Sequence, residues 1–299
     1  MNGIIVKGIG GFYYVKTDDG IYECKARGVF KKNGIVPTVG DYAEIEVLDE
    51  RIDRENDFTG KAWISEILER KNSFIRPPVA NVDLFVIVMA AAEPEPNLAV
   101  IDRFLVMAEK NHTDAIVCIN KKDLVSEERL SELLGIYSGI YPALALSGAR
   151  CEGIEELKEL LKGRVCALAG PSGVGKSTIL NALEPRAAVE TGSLSEKTKR
   201  GRHTTRHAEI FETDFGAMIF DTPGFTSFDI LEADEDELHF LYPEMAPYIG
   251  KCRFDNCRHY KEPGCAVREA AKAGEIKRSR YISYREQLLE IREKEQKRY

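Results

Sequence analysis

A chain of 299 residues with 43% hydrophobic content can bury a sizeable core, and its length favours two or three domains over one. A formal net charge of −7 excludes a uniformly basic nucleic-acid binder, while leaving room for local basic patches. The longest apolar run, Leu84 to Ala92, is too short to span a bilayer, and MNGIIVKGIGG lacks the pattern of a secretory leader, so a cytoplasmic protein with no membrane partner is expected.

Residues 1 to about 70 alternate short β-rich runs (GFYYV, IYECKA, YAEIEVL) with Gly, Asn and Asp turns, which predicts a small antiparallel β-barrel or sandwich over 1–70. Two prolines in RKNSFIRPPVANVD end that pattern, so 71–80 reads as a linker. From Val82 the rhythm changes: the buried strand VDLFVIVMA, a helix from near Leu98, the strand AIVCIN, a helix from about Ser126, ALALS, a helix from about Ile154, then VCALAG. Strands alternating with helices at this spacing predict an α/β domain with a parallel sheet over 81–228. Residues 229–299 read as mainly helical, interrupted by a Cys/His cluster and closing on a charged helix that starts near Ala266.

The stretch Gly170, Pro171, Ser172, Gly173, Val174, Gly175, Lys176, Ser177, Thr178 fits G-x-x-x-x-G-K-[ST] between a strand and a helix. Glycines permit the turns that aim amides at phosphate oxygens, Lys176 adds charge for the β/γ-phosphates, and Ser177 would ligate Mg²⁺. Asn120, Lys121, Lys122 and Asp123 fit N-K-x-D, in which the Asp carboxylate accepts from guanine N1–H and its exocyclic amine. Adenine offers no such donor pair, so an unpaired buried acceptor would discriminate against it. A polar strand-to-helix turn would leave the same four residues. At the end of the next strand, Ser147 and Ala149 offer the backbone contacts of a Ser-Ala loop, with Gly148 between them; an ordinary turn is the competing account.

Asp221 to Gly224 (DTPG) fits D-x-x-G, with Asp221 on the Mg²⁺ shell through water and the Gly224 amide on the γ-phosphate. The order is thus NKxD, Ser-Ala-like loop, cradle, DxxG, whereas an ordinary GTPase begins with the cradle. A circular permutation accounts for this, because such a site depends on spatial arrangement and not on chain order. Phe225 stands where Ras-like enzymes carry the water-orienting Gln. In the long basic loop 191–207, Thr204 or Thr205 is the candidate Mg²⁺ ligand and His203 the candidate for orienting water.

Seven cysteines, three of them crowded near the end, point to a reduced compartment and a metal site. Cys252, Cys257, His259 and Cys265 form C-x4-C-x-H-x5-C, a donor set that satisfies tetrahedral Zn²⁺ with no open position, hence a structural zinc. Lys197, Lys199, Arg200, Arg202 and Arg206 crowd one loop, residues 268–299 hold ten Lys/Arg against six Asp/Glu, and the N-terminal domain adds Lys31, Lys32 and an expected exposed aromatic, Phe30. Each patch alone reads as a solvated face, the C-terminal one fitting i,i+4 pairing on an exposed helix. Together they suit a large polyanion. The acidic DILEADEDEL opposes this locally and marks either a helix start or a contact for a basic protein.

The permuted order with GPSGVGKS, NKKD, GRHTT, DTPGF and the Cys/His spacing closely resembles the ribosome small subunit-dependent GTPase A family (RsgA/YjeQ), over nearly the whole chain. The resemblance implies an OB-fold domain, a permuted GTPase domain and a zinc-binding domain at 229–299. It also implies a late role in small ribosomal subunit maturation, GTP hydrolysis stimulated by the subunit and its rRNA, and His203 as the matching catalytic histidine. GTP and GDP are the expected nucleotides, with Mg²⁺ and one Zn²⁺ as cofactors, and a monomer is expected. The rivals are a P-loop ATPase or phosphotransferase, which has no use for NKKD, and a non-enzymatic RNA-binding scaffold stabilised by nucleotide.

Overall fold

The computed structural model describes residues 1–28, 30, 34–49, 58–75, 77–184, 208–221 and 233–297, with Asp221 described for its backbone alone. Its contacts divide the chain into two compact units: 1–84, 158–168 and 183–225, and 85–157, 169–182 and 226–299.

In the first unit, β1 (Asn2–Ile9), β2 (Phe12–Thr17), β3 (Gly20–Ala26), β4 (Tyr42–Asp49) and β5 (Gly60–Ile67) run in the order β1-β2-β3-β5-β4, and β4 returns to pair with β1. This closes a five-stranded barrel of the OB type. Alternation is the cause in β2 to β5, where Val15, Cys24, Ala43, Ile45, Ala62 and Ile64 are buried between less buried neighbours, while β1 is buried at Ile4, Ile5 and Val6 in a row. Phe30 is also buried, so it is not an exposed aromatic for an outside partner; Lys31 and Lys32 lie outside the described residues. The expected linker contains a two-stranded hairpin, β6 (Ser73–Ile75) with β7 (Pro78–Ala80). Pro78 is tolerated because it opens an edge strand, where no ladder amide is needed.

The same unit holds β11 (Val165–Ala169) through Leu168, with β12 (Glu209–Glu212) and β13 (Met218–Asp221). β13 runs parallel to β11 and β12 antiparallel to β13, so the expected parallel sheet carries one reversed strand formed by a tight return at Asp214–Gly216.

In the second unit, β8 (Leu84–Ala90), β9 (Asp114–Asn120) and β10 (Ala143–Ala145) lie in the order β10-β9-β8, with β10 parallel to β9. All seven residues of β8 are buried, as the unbroken apolar run requires. Helix α1 (Leu98–Lys110) is capped by Asn97, whose side chain accepts from the Val100 amide; α2 (Glu127–Tyr137) is capped in the same way by Ser126 through the Arg129 amide. α3 (Ile154–Leu161) leads to β11, and α4 (Lys176–Leu183) follows the cradle. The C-terminal part is built from short 3-10 turns (Leu238–Leu241, Pro243–Tyr248), α5 (Ala266–Ala273) and α6 (Arg278–Gln296) around Leu238, Tyr242, Met245, Val267, Tyr284 and Leu288. The expected single charged helix is therefore two, because Gly274 adopts φ +82° and ends α5, with its amide on the Ala270 carbonyl.

The described part of the acidic run, 233–238, is spent on capping and pairing. Asp234 Oδ1 accepts from the Asp236 and Glu237 amides at 2.9 Å, while Glu235 and Asp236 face Arg258 and Glu235 also meets Arg292.

Candidate nucleotide site and metal centre

Strand β11 delivers the chain to Gly170, and α4 takes it away at Lys176. Gly170 sits at φ +141° and a β-carbon there would lie 2.2 Å from the Val88 carbonyl oxygen; at Gly175, φ +95°, it would lie 2.3 Å from Asn120 Nδ2. Both positions demand glycine, for backbone conformation and for space. Lys176 turns back on this loop, its Nζ donating to the carbonyls of Gly170 at 2.6 Å and Pro171 at 2.8 Å. Burial pulls its pKa down to about 8, which leaves a cation poorly compensated by neutral carbonyls and suited to an anion. Ser172 and Gly173 are exposed, Val174 is buried, and Pro171, Ser177 and Thr178 are half-buried.

The N-K-x-D turn touches this cradle through the Asn120 side chain. Asn120, 2% exposed, donates from Nδ2 to the Val174 carbonyl at 2.8 Å and accepts at Oδ1 from the Gly148 amide at 2.9 Å. The end of β9, the cradle and the Ser147–Ala149 turn are thereby fastened to one amide group. Gly148 is buried against the start of α4, where a β-carbon would lie 3.3 Å from Ile179 Cγ1. Ser147 is fully buried and Ala149 exposed.

Lys121 takes the left-handed conformation at φ +62° and donates to the Glu93 carbonyl; Lys122 pairs with Glu152 at 3.0 Å. Asp123 stands on the 3-10 turn Lys122–Leu124. The Ser147 hydroxyl, its own backbone amide and the cations Arg150 and Lys121 hold its carboxyl below the usual range. It is thus a ready anionic acceptor. Arg150 Nε lies 3.8 Å from it, a neighbour that no motif marks in the sequence and that only its position after the Ser-Gly-Ala turn signals.

His203, Thr204, Thr205 and Gly224 lie outside the described residues. Asp221 ends β13, where D-x-x-G requires it, but its side chain is not described.

Farther along the chain, the ligand atoms of Cys252, Cys257, His259 and Cys265 lie within 4.8 Å of one another, so the four could hold a metal ion. His259 Nδ1 is 3.5 Å from Cys252 Sγ and 3.4 Å from Cys265 Sγ, and the two sulfurs are 3.9 Å apart. Burial pushes the Cys257 thiol up to about 12 and pulls the His259 imidazole down to about 4. Buried polar donors with so little compensation fit a bound cation better than a dry core. The loop is tied to α6 from behind: Tyr281 and Tyr284 donate to the carbonyls of His259 at 2.8 Å and Arg258 at 2.7 Å.

A second buried polar group was not legible as one. Arg280, fully buried in the first turn of α6, donates to Asp102 of α1 at 2.6 Å and to both oxygens of Glu244 at 2.7 and 3.1 Å. Tyr137, at the end of α2, also donates to Asp102 at 3.1 Å, and the guanidinium covers the Tyr242 ring at 4.6 Å.

The N-K-x-D turn precedes, in sequence, the glycine-rich cradle it touches, and this is the fold of a circularly permuted P-loop GTPase. The RsgA GTPase family matches residues 67–231 and the RsgA N-terminal domain matches residues 2–52. The chain belongs to the RsgA family. It is 46% identical to the small ribosomal subunit biogenesis GTPase RsgA of Caldanaerobacter subterraneus subsp. tengcongensis, over 100% of this chain and 98% of that one. It is 47% identical to the protein of the same name from Clostridium perfringens (strain SM101 / Type A), covering 97% and 98%. Among solved structures it resembles YjeQ from Thermotoga maritima (TM-score 0.81, 36% identity, 97% and 98% covered). It also resembles YloQ, described as a circularly permuted GTPase (TM-score 0.80, 33% identity, 98% and 95% covered).

Proposed function

We propose that this protein hydrolyses GTP to GDP and phosphate as a late switch in maturation of the small ribosomal subunit, with the subunit and its rRNA as partner and as stimulant of turnover. The observation that carries the reading is Asn120, which joins a guanine-type turn to a phosphate cradle in a chain of the RsgA family. In this reading Asp123 accepts from the guanine edge, the amides of 172–177 and Lys176 hold the phosphates, and the Ser147–Ala149 turn borders the base. Ser177 and Thr204 or Thr205 would hold Mg²⁺, with Asp221 on its water shell; the ion, when bound, neutralises phosphate charge. Gly224 meets the γ-phosphate. Phe225 cannot orient water, and His203 takes that role.

The Cys/His cluster we assign to structural Zn²⁺. With Zn–S of about 2.3 Å and Zn–N of about 2.0 Å, a tetrahedral ion sets S···S edges of about 3.8 Å and S···N edges of about 3.5 Å. The distances of 3.9, 3.4 and 3.5 Å support that ion. We further take the chain to work as a cytoplasmic monomer with parts at 1–70, 81–228 and 229–299; among the described residues no helix is long and apolar enough to cross a membrane.

GTP turnover measured with and without small ribosomal subunits tests the switch. Subunits should raise the rate, and Lys176→Ala should lower the stimulated rate by about a hundredfold or more while leaving subunit binding in place. No turnover under either condition would defeat the reading.

A further inference from the structure

The four residues of the Cys/His cluster are not equally supported from outside. Each sulfur has a backbone donor: the Ala266 amide reaches Cys252 Sγ at 3.3 Å, the His259 amide serves Cys257 and the Arg268 amide serves Cys265. The imidazole of His259 is different. Its Nδ1 faces the Cys252 and Cys265 sulfurs at 3.5 and 3.4 Å, so Nδ1 is the atom placed to ligate an ion, and the ring proton then sits on Nε2. That nitrogen is buried with no hydrogen-bond partner among the described residues. A metal-bound histidine ordinarily passes its second N–H to a carboxylate, a carbonyl or water.

One side chain stands where such a partner belongs. His239, 5% exposed on the 3-10 turn Leu238–Leu241, sets its ring at 87° to that of His259, with the centroids 5.2 Å apart. At that separation two ring nitrogens lying between the centroids come within about 3 Å, the length of a hydrogen bond from N–H. Perpendicular planes are no obstacle, because the bond runs along the N–H direction. His239 Nδ1 is likewise buried and unpartnered among the described residues. The two nitrogens are complementary: an ion on Nδ1 makes His259 Nε2 a donor, and a neutral His239 with its proton on Nε2 offers Nδ1 as an acceptor. Packing restrains both rings, His239 against Phe240 at 4.1 Å between centroids, and the His259 loop through the Tyr281 and Tyr284 hydroxyls. We propose that His239 is the outer partner of the metal ligand His259, accepting its Nε2–H at Nδ1 and so fixing how the imidazole meets the ion. His239 is a positioning residue, since it is not one of the four residues whose ligand atoms gather, and it acts through His259. It lies outside the C-x4-C-x-H-x5-C spacing, so the motif does not mark it.

This inference rests on the assignment of Zn²⁺ to the cluster. The test uses the full chain, with zinc affinity read by competition against a chromophoric chelator and ligand geometry by the visible bands of the Co²⁺-loaded protein. His239→Phe keeps a ring and removes the acceptor; zinc affinity should fall by about 10–100-fold and the Co²⁺ bands should shift. His239→Asn, whose Oδ1 takes the place of Nδ1, should recover most of the affinity. Leu238→Ala, on the same turn, removes packing alone and should lower unfolding stability with the bands unmoved. A measurement that needs no variant to fold is made on the isotope-labelled, zinc-loaded parent: a slowly exchanging proton on His259 Nε2, with scalar coupling across the hydrogen bond to His239 Nδ1. The proposal is overturned if His239→Phe keeps the parent's affinity and bands, if His239→Asn is no better than His239→Phe, if Leu238→Ala shifts the bands equally, or if the coupling is absent. A parent that takes up no stoichiometric zinc would defeat the zinc assignment and this inference with it, whereas zinc uptake indifferent to His239 defeats this inference alone.

Discussion

Asn120 engages both polar atoms of its side chain with other loops, Nδ2 with the cradle and Oδ1 with the Gly148 amide, and Gly175 gives it the room. Gly175→Ala would put a methyl 2.3 Å from Asn120 Nδ2 and ask an alanine to hold φ +95°. A left-handed alanine costs about 1–2 kcal/mol, so GDP affinity should drop roughly tenfold in a fluorescent-nucleotide titration, and an unchanged affinity would show the cradle does not depend on this contact. Asp123 makes a separate prediction. Its carboxyl is held below the usual range, first by the Ser147 hydroxyl, so the anionic form persists as pH falls and is lost only below the ordinary value of about 3.9. Affinity for guanosine, which carries no titrating phosphate for Lys176 to hold, should stay flat from pH 7.5 down to about pH 5. Ser147→Ala should move the acid limb upward, because the hydroxyl that favours the charged form is gone; a parent limb already falling at pH 6 would contradict this.

At the scale of elements, the sequence is clearest where chemistry and periodicity agree. β8 is legible from an unbroken apolar run, α2 from its Ser126 cap, the barrel from alternation, and the cradle from glycines that the backbone demands. Arg280 was not legible, since in a helix rich in Lys, Arg and Glu it looked like one more solvated charge. Yet Arg280, Tyr284, Gln287, Leu288 and Ile291 are all buried and recur at the i, i+4, i+7, i+8, i+11 spacing of one helical face, a signal present in the sequence but masked by its charge. The hairpin at 73–80 was hidden because two prolines read as a break, although an edge strand accepts them. The Cys/His cluster lies in a region whose elements are short, and a structural zinc proposed there would contribute about 10–16 kcal/mol of binding to its folding. Chelation at neutral pH should therefore abolish hydrogen-exchange protection in α5 and the first turns of α6. Protection unchanged after verified metal removal would mean the segment is held by its hydrophobic cluster without the ion.

On the scale of the whole molecule, the permutation puts the D-x-x-G motif at the end of β13 directly before, in sequence, the segment that leads to the Cys/His-bearing part. Arg280, Asp102, Glu244 and Tyr137 join that part to α1 and to the far end of α2. Arg280→Met removes the cation from two buried carboxylates and should cost about 3–5 kcal/mol of stability by denaturant unfolding. Tyr137→Phe, which removes one hydrogen bond, should cost about 1 kcal/mol. A loss within a few tenths of zero for Arg280→Met would show that water reaches the site.

The lock at Arg280 also decides what can be pruned. Cutting the chain after about residue 232 would strip α1 of the guanidinium that answers Asp102 and of the apolar cover over Val106, both fully enclosed in the intact protein. The nucleotide-binding portion is therefore not severable from its tail. The tail serves it as a missing wall as much as an appendage.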